Sequence, residues 1–153
     1  VLLFIVLAPL GFAVQQLTGF MPETGADIWR VLLINFSLPV WLYFIVFESS
    51  TRAATPGKRL VGLRVKLQPE ATPTWPRIVL RTAIKLIPWE LAHIASFALA
   101  PADGSFTMLQ AGLLTLAWLL MLMYLFVVWR SRGGQGLHDR LAGTQIVAIE
   151  TIR

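Results

Sequence analysis

Hydrophobic positions in this chain fall into long runs separated by short polar breaks, the pattern of helices that cross a bilayer. Val1 to Leu17 is apolar apart from Gln15 and Gln16 near its end. As a helix it covers roughly 25 Å, slightly short of the ~30 Å hydrocarbon core. The run opens at Val1 with no charged lead-in, so the first span is expected to begin upstream. After the acidic loop Thr18 to Asp27, a second span runs from Trp29 to Phe47. Asn35, Ser37 and Pro39 interrupt it, Pro39 predicts a kink, and Glu48 marks its exit. Phe106 to Trp129 carries no charge over 24 residues and is the strongest span.

Two polar blocks have a different period. Leu60 to Leu67 alternates, with Leu63, Val65 and Leu67 on one face and Arg64 and Lys66 on the other, which predicts a short strand after a turn at Thr55-Pro56-Gly57. Gln145 to Ile152 alternates likewise. These two strands are expected to pair as a small sheet, which packing on other elements would have to support. Arg77 to Ala100 begins with a basic stripe, Arg77, Arg81 and Lys85, spaced by four on one helical face and suited to lipid headgroups. Past Pro88 it turns apolar except for Glu90, His93 and Ser96.

Composition agrees with the runs. The chain is 56% hydrophobic and only 14% charged, with a mean hydropathy of +0.69, against about 25% charged in soluble domains. One membrane domain fills the 153 residues. The net charge of +5 is then loop charge that orients the chain and meets anionic lipid, and nucleic acid is not an expected partner. Without cysteine there are no disulfides, thiolate metal sites or thiol chemistry.

Of the 13 Lys and Arg residues, only Arg30 falls on the side of Glu23, Asp27 and Asp103. The positive-inside rule therefore places residues 48–77 and 130–153 in the cytoplasm. Two cytoplasmic blocks require an even number of crossings between them, so Arg77 to Ala100 should cross too. The expected fold is all-α and transmembrane, with spans near 1–17, 29–47, 78–100 and 106–129, both ends inside and a small cytoplasmic two-stranded β element. In the alternative, three spans cross and this segment lies flat on the surface.

The two polar blocks carry a likeness. Ala54 to Val65 reads ATPGKRLVGLRV, and Gly136 to Thr144 reads GLHDRLAGT behind the lead-in Arg130 to Gln135. With the basic helix and long span between them, they resemble the RDD family of small bacterial membrane proteins over about residues 47–147. The motif residues matched are Pro56, Gly57, Lys58, Arg59, Gly136, His138, Asp139, Arg140, Gly143 and Thr144. The family is named for an Arg and an Asp in the first span and an Asp in the last motif. Asp139 matches the last, whereas Val1 to Leu17 holds no charge and offers no counterpart to the others. The resemblance implies a multi-pass bacterial inner-membrane protein for which transport is the proposed role, cation–proton exchange being attributed to some members.

Candidate chemistry is sparse. Glu90 and His93, spaced i, i+3, are the only titratable pair inside an expected span. An ionisable group in hydrocarbon is a functional hypothesis by default, here a proton or cation relay. The plainer reading pairs Glu90 with Lys85 or Arg81 near the interface. Glu-x-x-His is half of a di-iron helix pair, but no second copy exists, so neither metal nor cofactor is expected. His138 and Asp139 lack the nucleophile of a hydrolase. Asp139 is expected to accept backbone N–H bonds in a turn and to pair with Arg140, Arg59 or Arg64, locking the two cytoplasmic motifs together; in the alternative it joins Glu90 and His93 as a transport residue, forming a gate coupled to ion passage. Thr55 to Arg59 is not a phosphate loop, since Arg52 and Arg59 stand where Gly and Ser or Thr are needed. Gly57 fits a turn, and Lys58 and Arg59 fit headgroup phosphates.

The expected protein is therefore no enzyme. It is a small transporter exchanging monovalent cations for protons, assembled as a homo-oligomer because four spans enclose little cavity. The alternative is a non-transporting anchor or accessory subunit whose basic face binds anionic lipid or a protein partner.

Overall fold

A computed structural model of the protein describes residues 2–67, 71–132 and 135–149. Helix α1 (Leu2–Thr18) ends where Gly19, at φ 64°, takes a left-handed turn and its N–H closes on the Gln15 carbonyl. Helix α2 (Gly25–Leu32) opens with a capping box, in which the Thr24 hydroxyl accepts the Asp27 N–H at 3.1 Å and the Asp27 carboxylate accepts the Thr24 N–H at 3.2 Å. A π-turn, Leu33–Ser37, leads into α3 (Leu38–Glu48). Pro39 lies just beyond the π-turn; it has no N–H to give the residue four back, so the expected kink takes the form of a widened turn.

The Thr55-Pro56-Gly57 turn is a one-turn helix, α4 (Pro56–Leu60), with Thr55 as its cap and Pro56 in the first turn. Strand β1 (Leu63–Leu67) follows, then α5 (Trp75–His93), a second π-turn (Ile94–Ala98) and α6 (Met108–Arg130). Thr107 and Gln110 form the capping box of α6, and the buried Gln110 amide also donates to the Ala95 carbonyl at 3.0 Å. Helix α7 (Leu137–Ala142) and strand β2 (Thr144–Ala148) close the described chain.

Strands β1 and β2 pair antiparallel, with Leu63 opposite Ala148, Val65 opposite Ile146 and Leu67 opposite Thr144. The expected sheet is present and shorter than expected. Leu60 belongs to α4, and Gly62, at φ 68°, turns the chain before β1 begins. Residues 150–152 of the second expected strand lie outside the described residues, as do 133 and 134 of the lead-in to the last motif.

Among the described residues, two helical stretches are long and apolar enough to cross a membrane: Gly25–Glu48, of 24 residues, and Met108–Arg130, of 23. The other two expected spans do not reach that standard. Helix α1 has 17 residues, and α5 carries Arg77, Arg81, Lys85 and Glu90. Helix α6 leaves Trp118, Leu122, Leu125 and Phe126 exposed, a face that suits lipid and not water.

Two compact units divide the chain, one from Val1–Val40 with Ile87–Leu119, the other from Trp41–Leu86 with Leu120–Arg153. In the first, α2 packs against the second π-turn so closely that a Cβ on Gly25 would stand 2.3 Å from the Phe97 carbonyl oxygen. Only glycine fits there. The second unit contains the sheet, with Val65 and Ile78 fully buried.

Candidate functional site

The second unit buries a network of charges. Glu48, the last residue of α3, and Arg81, in the middle of α5, are almost wholly enclosed, at 0% and 1% exposure. The Arg81 Nε donates to Glu48 Oε2 at 3.0 Å, and Lys58 Nζ donates to Glu48 Oε1 at 2.8 Å. The other side of the guanidinium meets Asp139 Oδ1 and the Thr144 hydroxyl, the latter at 3.2 Å. That hydroxyl donates to Asp139 Oδ1 at 3.0 Å, while Asp139 Oδ2 accepts the Gly136 N–H at 3.1 Å. Lys85 Nζ stands over the Phe44 ring, 3.2 Å from its centroid, and 3.8 Å from Glu48. Each buried carboxylate thus has a cation and further donors, the condition under which charges can be buried at all.

Local sequence explains these positions. Asp139 is the third residue of α7, where its carboxylate reaches back to the Gly136 N–H. Gly143 ends α7 in a left-handed conformation, φ 63°, and turns the chain so that Thr144 starts β2 beneath Asp139. Arg77 NH1 donates to the Ala142 carbonyl at 3.1 Å, fastening α5 to the end of α7.

The charge field acts on the nearby titratable groups. Burial pulls Lys58 below the ordinary lysine range, and Glu48 partly offsets it. Burial, aided by the Arg81 charge, pushes the His138 imidazole down to about 4. His138 is therefore neutral at pH 7, so its 3.3 Å approach to Asp139 is not an ion pair. Its ring stacks on Tyr124 at 6.3 Å between centroids. Asp139 also holds Arg81, the Thr144 hydroxyl and the Gly136 N–H.

Several expectations are corrected here. Arg81 does not face headgroups; its helix face is turned onto Glu48 and Asp139, a direction that spacing by four does not reveal. Lys85 is half-buried at Phe44 and Glu48, and of the stripe only Arg77 is exposed. Lys58 is likewise turned inward to Glu48 instead of outward to phosphates. Asp139 takes Arg81 as its partner rather than Arg140, Arg59 or Arg64. Arg140 is exposed, while Arg59 donates to the Ala54 carbonyl at 2.9 Å and packs over Phe47. Pro56 and Gly57 are exposed on the first turn of α4.

In the first unit, the Ser37 hydroxyl donates to Glu90 Oε2 at 3.1 Å. Ser37 ends the first π-turn and is 1% exposed. His93 lies one turn beyond Glu90, edge-on to Trp89 at 4.4 Å, and its buried Nδ1 has no hydrogen-bond partner. A cleft of about 310 Å³ borders His93, Asn35 and Gln15 among apolar side chains of α1, α2 and α5. Lys85 and Arg81, the cations considered as Glu90 partners, reach Glu48 in the other unit.

Glu48 and Ser37 are the residues whose roles sequence reasoning missed. A signal for Glu48 was present: it closes the uncharged run Val31–Phe47 on the basic side, where a carboxylate leaving an apolar helix needs a cation. Ser37 gave no such signal, since a hydroxyl in an apolar helix can also satisfy itself on its own backbone.

No curated protein and no solved structure matches the chain. A family model does, over residues 1–143. That model is described as the RDD family, and the chain belongs to this family of membrane proteins.

Proposed function

We propose that the protein is a small bacterial inner-membrane transporter that exchanges a monovalent cation for protons, with Glu90 as the titrating carboxylate. The observation that carries this reading is the Ser37–Glu90 hydrogen bond at 3.1 Å. A buried hydroxyl in a candidate span is aimed at a carboxylate on α5. Carboxylate and hydroxyl oxygens are the ligands a dehydrated alkali cation requires, and protonation of Glu90 would release it. Ser37 ends one π-turn and Glu90 lies one helical turn before the other, and π-turns free backbone carbonyls from the helical ladder and recur at functional sites.

In this reading the chain crosses four times with both ends in the cytoplasm, α1 and α5 supplying the less apolar crossings. Ala111-Gly112 offers a place for a second copy to approach, because a Cβ on Gly112 would meet nothing within 4 Å. No catalytic chemistry is assigned. Asp139 serves structure, since every oxygen it offers is taken up by the buried network.

Cation-driven proton flux in proteoliposomes of the full-length protein tests the proposal, scanning Na⁺, Li⁺ and K⁺. Glu90→Gln is expected to abolish flux and Ser37→Ala to raise the cation concentration needed for it. Undiminished flux in Glu90→Gln would remove Glu90 from the mechanism. The second reading, a non-transporting anchor or accessory subunit for anionic lipid or a protein partner, is favoured by the exposure of Arg52, Arg77, Arg130, Arg132 and Arg140. It gains ground if folded wild-type protein carries no cation at all.

A further inference from the structure

Most arginines of the second unit that lie near buried surface are matched. Arg81 meets two carboxylates, Arg59 a carbonyl and a ring, and Arg77 a carbonyl. Arg64 is different. Its Nε is buried and has no hydrogen-bond partner. A guanidinium stays charged at any pH the protein meets, so a buried donor on it calls for an acceptor, and an anionic one most strongly.

The Arg64 side chain borders a cleft of about 230 Å³ beside β1. Lys66, two residues along and therefore on the same face of the strand, also lines it, as do Thr51, Ala53, Thr72 and Pro73. The walls are pinned by backbone bonds, Val65 N–H to Ala53 at 2.8 Å and Leu67 N–H to Ala71 at 2.9 Å. Two cations, two threonines and no carboxylate line the cleft among the described residues.

We propose that this cleft binds a phosphate group carried on an ester, with Arg64 as its principal ligand. The guanidinium fork matches two phosphate oxygens at once, and threonine hydroxyls lining the same cleft can serve the others. A carboxylate, with two oxygens, would leave part of that donor set idle. The phosphate comes either from an anionic lipid headgroup or from a soluble phosphate compound, and the chemistry of recognition is the same. The cleft belongs to the second unit and Glu90 to the first, and they share no residue, so this proposal and the transport reading stand or fall separately.

Native mass spectrometry of the full-length protein in detergent separates the sources. Phosphatidylglycerol is offered against phosphatidylcholine, and in parallel inorganic phosphate and glycerol 3-phosphate are titrated against the melting temperature. A retained phosphatidylglycerol that phosphatidylcholine does not replace assigns the cleft to lipid. Saturable stabilisation by the soluble phosphates without lipid retention assigns it to a soluble ligand. In either case Arg64→Gln should weaken binding by about tenfold or more, the worth of one charge-assisted hydrogen bond. Arg64→Lys, which keeps the charge and loses the fork, should recover only part of it. Thr72→Val, which leaves both cations in place, should weaken binding by a smaller factor and serves if Arg64→Gln does not fold. Flux through Glu90 should be unchanged in all three. Binding of neither ligand class, or binding that Arg64→Gln and Thr72→Val leave intact, overturns the proposal.

Discussion

Arg81 Nε lies 3.0 Å from Glu48 Oε2, tying the last residue of α3 to the middle of α5 across 33 positions of sequence. Because the same guanidinium also holds Asp139, it stands between the two carboxylates and keeps both neutralised. The first polar motif enters through Lys58 and the last through Asp139 and Thr144. One side chain thus joins α3, α5, α7 and the start of β2, and α4 reaches the same carboxylate through Lys58.

Arg81→Met should therefore be costly. It leaves Glu48 and Asp139 buried with one cation fewer, a change worth about 3–5 kcal/mol when one partner of a buried pair is lost. Lys85→Met removes a 3.8 Å contact with Glu48 and the ammonium's contact with the Phe44 ring, leaves Arg81 and Lys58 on Glu48, and should cost about 1–2 kcal/mol. Thermal unfolding of the two variants in detergent compares them directly. Equal melting temperatures would mean that Arg81 does not hold the network.

Acid should loosen the same region through His138. The imidazole titrates near 6.5 in the unfolded chain and near 4 in the folded protein, where burial and Arg81 oppose its charge. As pH falls below about 6.5 the unfolded state takes up a proton that the folded state refuses. Its contribution is intact above 6.5 and is lost progressively down to about 4, amounting to roughly 1–2 kcal/mol once solvent screening is allowed for. His138→Phe keeps a ring against Tyr124 and should flatten the stability curve over that window. An identical acid limb in the variant would assign the effect to other groups.

Gly143→Ala should cost about 1–2 kcal/mol, the usual penalty for a side chain at a left-handed position. A Cβ there would also come within 2.4 Å of Arg77 NH1. That end is flexible and can swing away, so the added loss is the Arg77–Ala142 hydrogen bond and not a steric block. Chemical unfolding monitored by tryptophan fluorescence measures the sum. A change within experimental error would show that α7 can end without glycine.

Much of the architecture was legible because it rests on periods that neighbouring residues set. Alternation at Leu63, Val65 and Leu67 marked β1, and an uncharged run marked α6. Turn residues were less secure. Thr55-Pro56-Gly57 serves equally as a turn and as a helix start, and the bonds from the Lys58 N–H to the Thr55 hydroxyl and from the Arg59 N–H to the Thr55 carbonyl decided for the helix. The crossing status of Arg77–Ala100 was argued from charge distribution alone, since its own hydropathy argues against it.

The sequence by itself determined the membrane character, the family likeness, the helical runs and the pairing of two short strands, all consequences of local period and composition. Only the tertiary structure decided where the charges go. The spacing of Arg77, Arg81 and Lys85 put them on one face of α5, but nothing local says whether that face meets headgroups or carboxylates. The answer depended on Glu48 and Asp139, 33 and 58 positions away from Arg81, arriving at the same buried point. Burial made those pairings obligatory, because charges withdrawn from water persist only beside partners that the fold itself supplies.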